Sequence, residues 1–153
     1  MTSPPRAYVA GLRLLARREL TAAQLRERLL RRDYSPEDVD AAVDRLRETG
    51  ALDDARAARA YASTAARVKG RGRLRVRREL EAAGVDDETA RAALDAAYAE
   101  VDEAALIERA IDRRLREPIH DDAHLARLLQ YLVRLGFPSS AALGALKKRR
   151  TRS

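Results

Sequence analysis

One arrangement of apolar residues occurs three times in this 153-residue chain, and it constrains the fold more than any other feature. Each copy is centred on a short hinge, and the three hinges are Asp33-Tyr34, Gly84-Val85 and Gly136-Phe137. Counted from residues 33, 84 and 136, the hinges lie 51 and 52 residues apart. A regular spacing of this size is typical of an array of repeated structural units.

The residues on either side of the hinges agree as well. An apolar residue stands eight and four positions before each hinge, and an alanine followed by an aliphatic residue stands nine and ten positions after it. These residues are Leu25, Leu29, Ala42 and Val43, then Val76, Leu80, Ala93 and Leu94, then Leu128, Leu132, Ala145 and Leu146. The pattern predicts two helices closing on a small core, and such a unit buries the rest of its surface against its neighbours.

Helix start and stop signals divide the chain into about nine helices. Thr21 with Gln24 forms a capping box, and Ser35 precedes a proline at the first helical position. Further starts are expected at Asp53, Asp86 or Asp87, Asp102, Asp122 and Ser139 or Ser140, and stops at Gly50, Gly70, Gly84, Pro118 and Gly136. We therefore predict an all-α fold of three tandem three-helix repeats that form an elongated, curved array.

The repeat pattern also predicts the domain boundaries. Residues 1–6 are expected to be an N-terminal extension, and residues 7–52, 53–101 and 102–148 to be the three repeats. Residues 149–153 are left as a basic C-terminal tail.

Composition excludes several classes of protein. The chain has no cysteine, which excludes a disulfide scaffold and cysteine-based metal sites or nucleophiles. No apolar run is long enough to cross a bilayer, and the first residues lack the apolar segment of a secretory signal. We expect a cytoplasmic protein that does not contact membranes.

The strongest candidate for a functional site is a basic segment in the middle of the chain. Between Arg67 and Arg78 there is no acidic residue and there are seven basic ones, namely Arg67, Lys69, Arg71, Arg73, Arg75, Arg77 and Arg78. Glycines at the break before the next helix would let backbone N–H groups and a helix N-terminus approach an anion. The alternative is an arginine-rich face that contacts only solvent.

A second basic group ends the chain. It contains Lys147, Lys148, Arg149 and Arg150 and could draw an anionic partner to the protein. The alternative for this group is a frayed, solubilising tail.

Two further interpretations stay open from the residues alone. The alternation of Arg73-Leu74-Arg75-Val76-Arg77 also fits a short strand. His120 and His124 have a spacing similar to that of helical zinc proteases, although Asp121 stands where that chemistry uses glutamate. No serine or histidine lies in a nucleophile pattern, so we expect neither an enzyme nor a metal site.

Several motifs give the chain a family resemblance. Residues 15–21 (Leu-Ala-Arg-Arg-Glu-Leu-Thr), Leu52-Asp53-Asp54-Ala55-Arg56, Lys69-Gly70 and Arg78-Glu79-Leu80 together resemble the RecX regulatory family. The resemblance runs from about Tyr8 to Leu146 and is weaker in the third repeat.

The family usually has glycine at the first hinge, where this chain has Asp33. If Asp33 adopts a left-handed conformation, we expect a cost of about 1 kcal/mol relative to glycine.

The resemblance implies a non-enzymatic regulator that needs no cofactor. Its implied partner is the RecA recombinase filament on single- or double-stranded DNA, bound without regard to sequence. It implies restraint of the filament's ATPase, strand exchange or extension, and so a role in recombination, DNA repair and the SOS response. We expect a monomer. The alternative is a basic helical protein that binds nucleic acid without a recombinase.

Overall fold

The computed structural model of the protein describes residues 5–152, and in that range the regular structure is entirely helical. The nine helices are α1 (Arg6–Arg17), α2 (Ala22–Arg31), α3 (Pro36–Glu48), α4 (Asp54–Arg67), α5 (Arg73–Ala82), α6 (Asp87–Tyr98), α7 (Glu103–Arg114), α8 (Asp122–Arg134) and α9 (Ser139–Arg152). The predicted all-α fold class is confirmed. The alternating stretch that also fitted a strand, Arg73 to Arg77, is the beginning of α5.

Side-chain caps set the starts of two early helices as the sequence predicts. The Thr21 hydroxyl accepts a hydrogen bond from the Gln24 backbone N–H at 3.1 Å, and the Gln24 amide oxygen accepts one from the Thr21 N–H at 3.0 Å. Ser35 caps α3 by accepting from the Asp38 N–H at 3.1 Å. These bonds satisfy N–H groups that have no partner within the helix.

Aspartates cap later helices in the same way. The Asp86 carboxylate accepts from the Thr89 N–H at 2.8 Å, and the Asp121 carboxylate accepts from the His124 N–H at 2.7 Å. These backbone hydrogen bonds lower the pKa of both carboxyl groups, because they favour the charged form.

All three hinges have a left-handed residue two positions after the last residue of the second helix of a repeat. The φ angles are +66° at Asp33, +82° at Gly84 and +104° at Gly136. At the second and third hinges, the N–H of the residue after the glycine donates to a carbonyl in the last turn of the helix, at 3.0 and 3.2 Å. This is the Schellman end of a helix, which glycine favours. Asp33 therefore adopts the left-handed conformation for which a cost relative to glycine is expected.

The chain divides into two compact units, and the first is Met1–Tyr61 with Leu80–Ala93. Within it α1, α2 and α3 pack against one another. Their core is built from the apolar positions of the repeat pattern together with small residues of α1 that allow close packing. It contains Ala7, Ala10, Leu14, Leu20, Ala22, Leu25, Leu29, Val39, Ala42, Val43, Leu46 and Leu52.

The second unit is Ala62–Glu79 with Leu94–Ser153. Within it α7, α8 and α9 pack against one another around a second core. That core contains Leu106, Ile107, Ala110, Ile111, Ile119, Leu128, Leu132, Phe137, Ala142 and Leu146. Among the described residues, no helix has the length and apolar content needed to cross a membrane.

Each unit contains one junction between consecutive repeats, and the two junctions have the same design. In the first unit the Thr21 hydroxyl donates to the carbonyl of Ala83, next to the hinge glycine Gly84, at 2.6 Å. In the second unit the Gly72 N–H donates to the carbonyl of Leu135, next to Gly136, at 2.7 Å. Thus the hinge of one repeat docks on the start of the second helix of the repeat before it.

The domain boundaries derived from the repeat pattern stay a prediction. The N-terminal extension assigned to residues 1–6 lies mostly outside the described residues, and α1 begins at Arg6. In the region assigned to the basic tail, α9 continues as far as Arg152, and Ser153 lies outside the described residues.

Candidate functional site

The basic segment, residues 67–78, joins the end of α4 to the first half of α5 and belongs to the second unit. The conformation of the loop between these two helices depends on a glycine in the sequence. Gly70 has a φ angle of +64°, a conformation that other residues adopt only with strain. The N–H groups of Lys69 and Arg71 donate to carbonyls in the last turn of α4, at 3.1 and 2.9 Å. The chain therefore leaves α4 along one fixed path.

The hinge of the third repeat fixes the other end of this loop. The Gly72 N–H donates to the Leu135 carbonyl at 2.7 Å, and the Leu74 N–H donates to the Gly136 carbonyl at 3.1 Å. A Cβ atom on Gly72 would lie 2.4 Å from the carbonyl carbon of Gly136. Glycine is needed here because the two backbones touch.

These contacts correct one expectation about the basic segment. Its glycines were predicted to free backbone N–H groups and the N-terminus of α5 for an anion, but four N–H groups of residues 69–74 donate to carbonyls inside the protein. The N–H groups of Lys69 and Arg71 bond within their own repeat and those of Gly72 and Leu74 bond to the third hinge, so these four donors are not available to an anion. Any anion bound here would be held mainly by side chains.

Tyr98, at the end of α6, is a residue of this site that the sequence did not single out. Its hydroxyl donates to the Arg71 carbonyl at 2.6 Å. Burial raises the pKa of Tyr98 to about 12, and the nearby positive charge of Arg73 opposes that shift. The neutral phenol therefore acts as a fixed donor that holds the middle of the basic segment.

At least three of the seven basic side chains form ion pairs. Arg71 Nη1 lies 2.8 Å from Glu79 Oε2, and Arg75 Nε lies 3.6 Å from Glu79 Oε1. Arg73 pairs with Asp95 of α6. The sequence count of seven uncompensated charges therefore overstates the charge that this region offers to a partner. The Arg75 and Glu79 pair has helical i, i+4 spacing and could have been expected from the sequence.

The other four basic side chains, those of Arg67, Lys69, Arg77 and Arg78, are exposed. Among the residues that the structure describes, Arg67, Lys69 and Arg78 make no ion pair. Two apolar side chains lie between these cations in the chain, Val68 with an exposed fraction of 76% and Leu74 with 44%. The segment offers exposed cations on a backbone held by hydrogen bonds, which suits a phosphate or carboxylate surface.

The C-terminal basic group is divided in a similar way. Lys147 and Lys148 are exposed on α9. Arg149 pairs with Glu108 and lies 2.9 Å from Asp112, both on α7, while Arg150 lies 2.7 Å from Asp122 at the start of α8. The helix continues through this group, so its arginines connect three helices of the second unit.

The two histidines lie next to each other at the start of α8. Their ring centroids are 4.4 Å apart, and Asp121 caps the helix through its contact with the His124 N–H. His120 also lies 3.8 Å from Glu117 and 3.6 Å from Asp121. Within residues 5–152, no group of three histidine, aspartate or glutamate side chains is placed to hold a metal ion.

Family comparisons match two parts of the chain. The model of the first three-helix domain of RecX matches residues 7–46, and the model of the second three-helix domain matches residues 53–94. The two matched ranges together cover more than half of the chain.

Individual relatives agree with these matches. The regulatory protein RecX of Thermobifida fusca is 34% identical over 140 residues, which cover 90% of this chain and 75% of the relative. The regulatory protein RecX of Chromohalobacter salexigens is 33% identical over 127 residues, covering 83% of this chain and 82% of the relative. The crystal structure of RecX from Lactobacillus salivarius has a TM-score of 0.73 at 18% identity, covers 97% of this chain and 96% of that chain, and shares the fold.

Proposed function

The chain belongs to the RecX family of regulatory proteins, and from that premise we propose that it binds RecA recombinase filaments on DNA and restrains them. The restraint would act on ATP hydrolysis, strand exchange or filament extension. The observation that carries this proposal is the match of both RecX domain models to residues 7–46 and 53–94. The protein would act by binding, as a monomer, with no enzymatic step and no cofactor.

The basic segment supports this proposal physically. Its backbone is held at both ends by hydrogen bonds, so a partner would not have to order the loop on binding. The proposed contacts are Arg67, Lys69, Arg71, Arg73, Arg75, Arg77 and Arg78, with Lys147, Lys148, Arg149 and Arg150 as a second group. Arg67, Lys69 and Arg78 are the leading residues, because they can bind a partner without first giving up an ion pair.

A binder along the filament can restrain ATP turnover and strand pairing only if it prefers one state of the filament. Contact with two neighbouring protomers in one arrangement would oppose the rearrangements that accompany ATP turnover and strand pairing. Binding at the growing end would instead block extension. Both modes use the same cations and differ in the number of regulator molecules needed per filament.

The test is a titration of the full chain into recombinase bound to DNA. The rate of ATP hydrolysis is measured at each ratio of the two proteins. The expected result is inhibition that saturates. Saturation at a small fraction of the recombinase concentration would indicate binding at filament ends, and saturation near a fixed ratio to protomers would indicate binding along the filament. A hydrolysis rate that does not change at any ratio would contradict the proposal.

The contribution of the basic segment is tested with the triple variant Arg67→Ala, Lys69→Ala and Arg78→Ala. These side chains are exposed, so helicity should not change, whereas half-maximal inhibition should require at least about tenfold more protein if two or three charge contacts are lost. The matched control removes three exposed cations of the first unit, Arg17, Arg18 and Arg59. Equal effects of the two triple variants would mean that only net charge matters.

The second candidate function is binding to nucleic acid without a recombinase. The exposed cations of the basic segment would be sufficient for it. It predicts a DNA affinity that falls steeply with salt and does not change when recombinase is added.

A further inference from the structure

The charged side chains that line one cleft in the first unit are all positive. The cleft has a volume of about 360 Å³ and is lined by Arg6, Val9, Ala10, Arg13, Arg32 and Tyr34. Arg6 and Arg13 are two turns apart on α1 and so share a face, with Val9 and Ala10 between them. Arg32 is the C-cap of α2, and Tyr34 follows the left-handed Asp33. The first hinge therefore brings a third arginine and an aromatic ring to the arginine face of α1.

The charges around this cleft are not compensated. Arg6, Arg13 and Arg32 are exposed, and within residues 5–152 none of them makes an ion pair. No carboxylate lines the cleft. Three guanidinium groups placed together without a counter-ion repel one another, and an anion between them would remove that repulsion.

Two other clefts of the protein are lined by carboxylates as well as arginines. One in the first unit is lined by Arg26 and Arg47 together with three aspartates. One in the second unit is lined by Arg67 and Arg109 together with Glu100 and Asp102. Since arginine is common throughout the chain, the informative case is a cleft whose arginines are not accompanied by a carboxylate.

Tyr34 and the apolar floor add a second type of contact. The ring of Tyr34 is half-buried and packs against the first core, which holds it in place. A fixed aromatic ring beside arginines is the combination that binds single-stranded nucleic acid, because guanidinium groups bind backbone phosphates and the ring stacks on a base. The volume lies at the lower end of the roughly 300–1,000 Å³ of small-ligand sites, which leaves room for about one nucleotide.

We propose that this cleft binds one nucleotide of a single-stranded nucleic acid, with a backbone phosphate between Arg6, Arg13 and Arg32 and the adjacent base against Tyr34. The site lies in the first unit, whereas the contacts in the proposed function lie in the second. Binding here needs no recombinase. The inference therefore extends the proposed function and stands or falls separately from it.

The test measures fluorescence anisotropy of an end-labelled oligothymidylate with the full chain, without recombinase, over a range of NaCl concentrations. The variant Arg13→Ala with Arg32→Ala should bind at least about tenfold more weakly at moderate salt, and its plot of log affinity against log salt should be flatter by about 1.4. The matched control, Arg17→Ala with Arg59→Ala, removes two exposed cations from the same unit outside the cleft. It should keep most of the affinity and the steeper slope.

Substitution of the ring separates a nucleotide site from a general anion site. Tyr34→Phe should bind as the original protein does, and Tyr34→Leu should lose about fivefold or more, because base stacking needs an aromatic ring. Circular dichroism checks that both variants fold.

Three outcomes would overturn the inference. The first is an equal slope of log affinity against log salt for the cleft variant and its control. The second is an equal affinity for Tyr34→Phe and Tyr34→Leu. The third is that the cleft variants lose the same affinity for poly-glutamate as for the oligonucleotide. The last would identify an acidic protein segment as the ligand. In the background of Arg67→Ala, Lys69→Ala and Arg78→Ala, the cleft substitutions should still weaken oligonucleotide binding by the same factor. The oligonucleotide result can therefore be interpreted even if the protein does not inhibit recombinase.

Discussion

The hinge residues show why equivalent positions of a repeat are not chemically equivalent. A Cβ atom on Gly84 would lie 2.5 Å from the Cβ of Ala23, and one on Gly136 would lie 2.5 Å from the Cβ of Arg75. Both glycines dock on the repeat before them. Asp33 belongs to the first copy of the repeat pattern and is exposed. Its left-handed φ angle of +66° is therefore the one restriction on the residue type at this position. Aspartate tolerates that conformation better than most residues.

Substitution of the hinge glycine therefore has a predictable effect on stability. Gly136→Ala should lower the free energy of unfolding by about 3 kcal/mol or more, since its φ angle is +104° and its Cβ would lie 2.6 Å from backbone atoms of Gly72 and Arg75. The matched control is Gly144→Ala in α9, where a Cβ atom meets nothing within 4 Å. That change should stabilise the protein by about 0.5–1 kcal/mol. Chemical denaturation measures both, and equal effects would contradict the docking role of Gly136.

Asp33→Gly should change the free energy of unfolding in the opposite direction to Gly136→Ala. Glycine adopts the φ angle of +66° without strain, and we expect a gain of about 1 kcal/mol in the free energy of unfolding. The same denaturation series provides the measurement. A loss of stability would mean that the Asp33 side chain makes a stabilising contact of its own.

At the scale of helices, α5 is locally unfavourable and is stabilised by its surroundings. It begins with Arg73 and Arg75, and cations in the first turn oppose the helix dipole by a few tenths of a kcal/mol. Glu79 and Asp95 compensate those charges, and the Tyr98 hydroxyl holds the residue before Gly72 in place. The basic segment can thus keep its arginines without losing the helix.

Removal of the Tyr98 hydroxyl tests this support. Tyr98→Phe should lower the free energy of unfolding by about 1 kcal/mol at neutral pH, because the Arg71 carbonyl loses its donor. The folded pKa of Tyr98 is raised to about 12, above the ordinary value of 10, so ionisation of this group destabilises the fold as pH rises from about 10 to 12. In thermal melts across that range, Tyr98→Phe should lose stability less steeply than the original protein.

The end of α9 leads to a prediction at the same scale. Truncation after Leu146 should lower stability by about 1 kcal/mol, because it removes the ion pairs of Arg149 and Arg150 with α7 and α8. Lys147→Ala with Lys148→Ala removes two exposed cations and should leave the melting temperature unchanged. If both changes weaken filament binding equally, the two lysines are the binding residues of this group. An unchanged melting temperature after truncation would mean that the arginine pairs contribute nothing to the fold.

At the scale of the whole molecule, the two units are interleaved in the sequence. The boundary between them passes through α4, α5 and α6, so each of these helices has residues in both units. Unfolding of one unit would break three continuous helices, and helix formation is cooperative. The chain is therefore expected to unfold in one step.

Hydrogen exchange measures this cooperativity. Gly136→Ala lies in the second unit, yet it should increase the exchange of the slowest amides of α1, α2 and α3 by the same factor as those of α7, α8 and α9. Mass spectrometry of peptides from the two cores provides the comparison. If exchange in α1, α2 and α3 stays at its original rate, the units unfold independently.

The sequence by itself determined the helices, their caps and the repeat spacing, because each depends on residues within a few turns of one another. The apolar spacing of Leu25 and Leu29, the capping box at Thr21 and the left-handed hinges all act locally. The resemblance to the RecX family also came from motifs in the sequence, and the family comparisons agree with it.

Only the tertiary structure decided which cations and which N–H groups are free to bind a partner. The Arg73 pair with Asp95 joins residues 22 positions apart, and the Thr21 bond to Ala83 joins residues 62 positions apart. The carbonyls of the third hinge accept hydrogen bonds from the Gly72 and Leu74 N–H groups, two of the donors that the sequence offered to an anion. The first hinge brings Arg32 and Tyr34 to α1. Charge composition does not predict such contacts, because they depend on how one repeat docks on the next and on the direction that each hinge gives the chain.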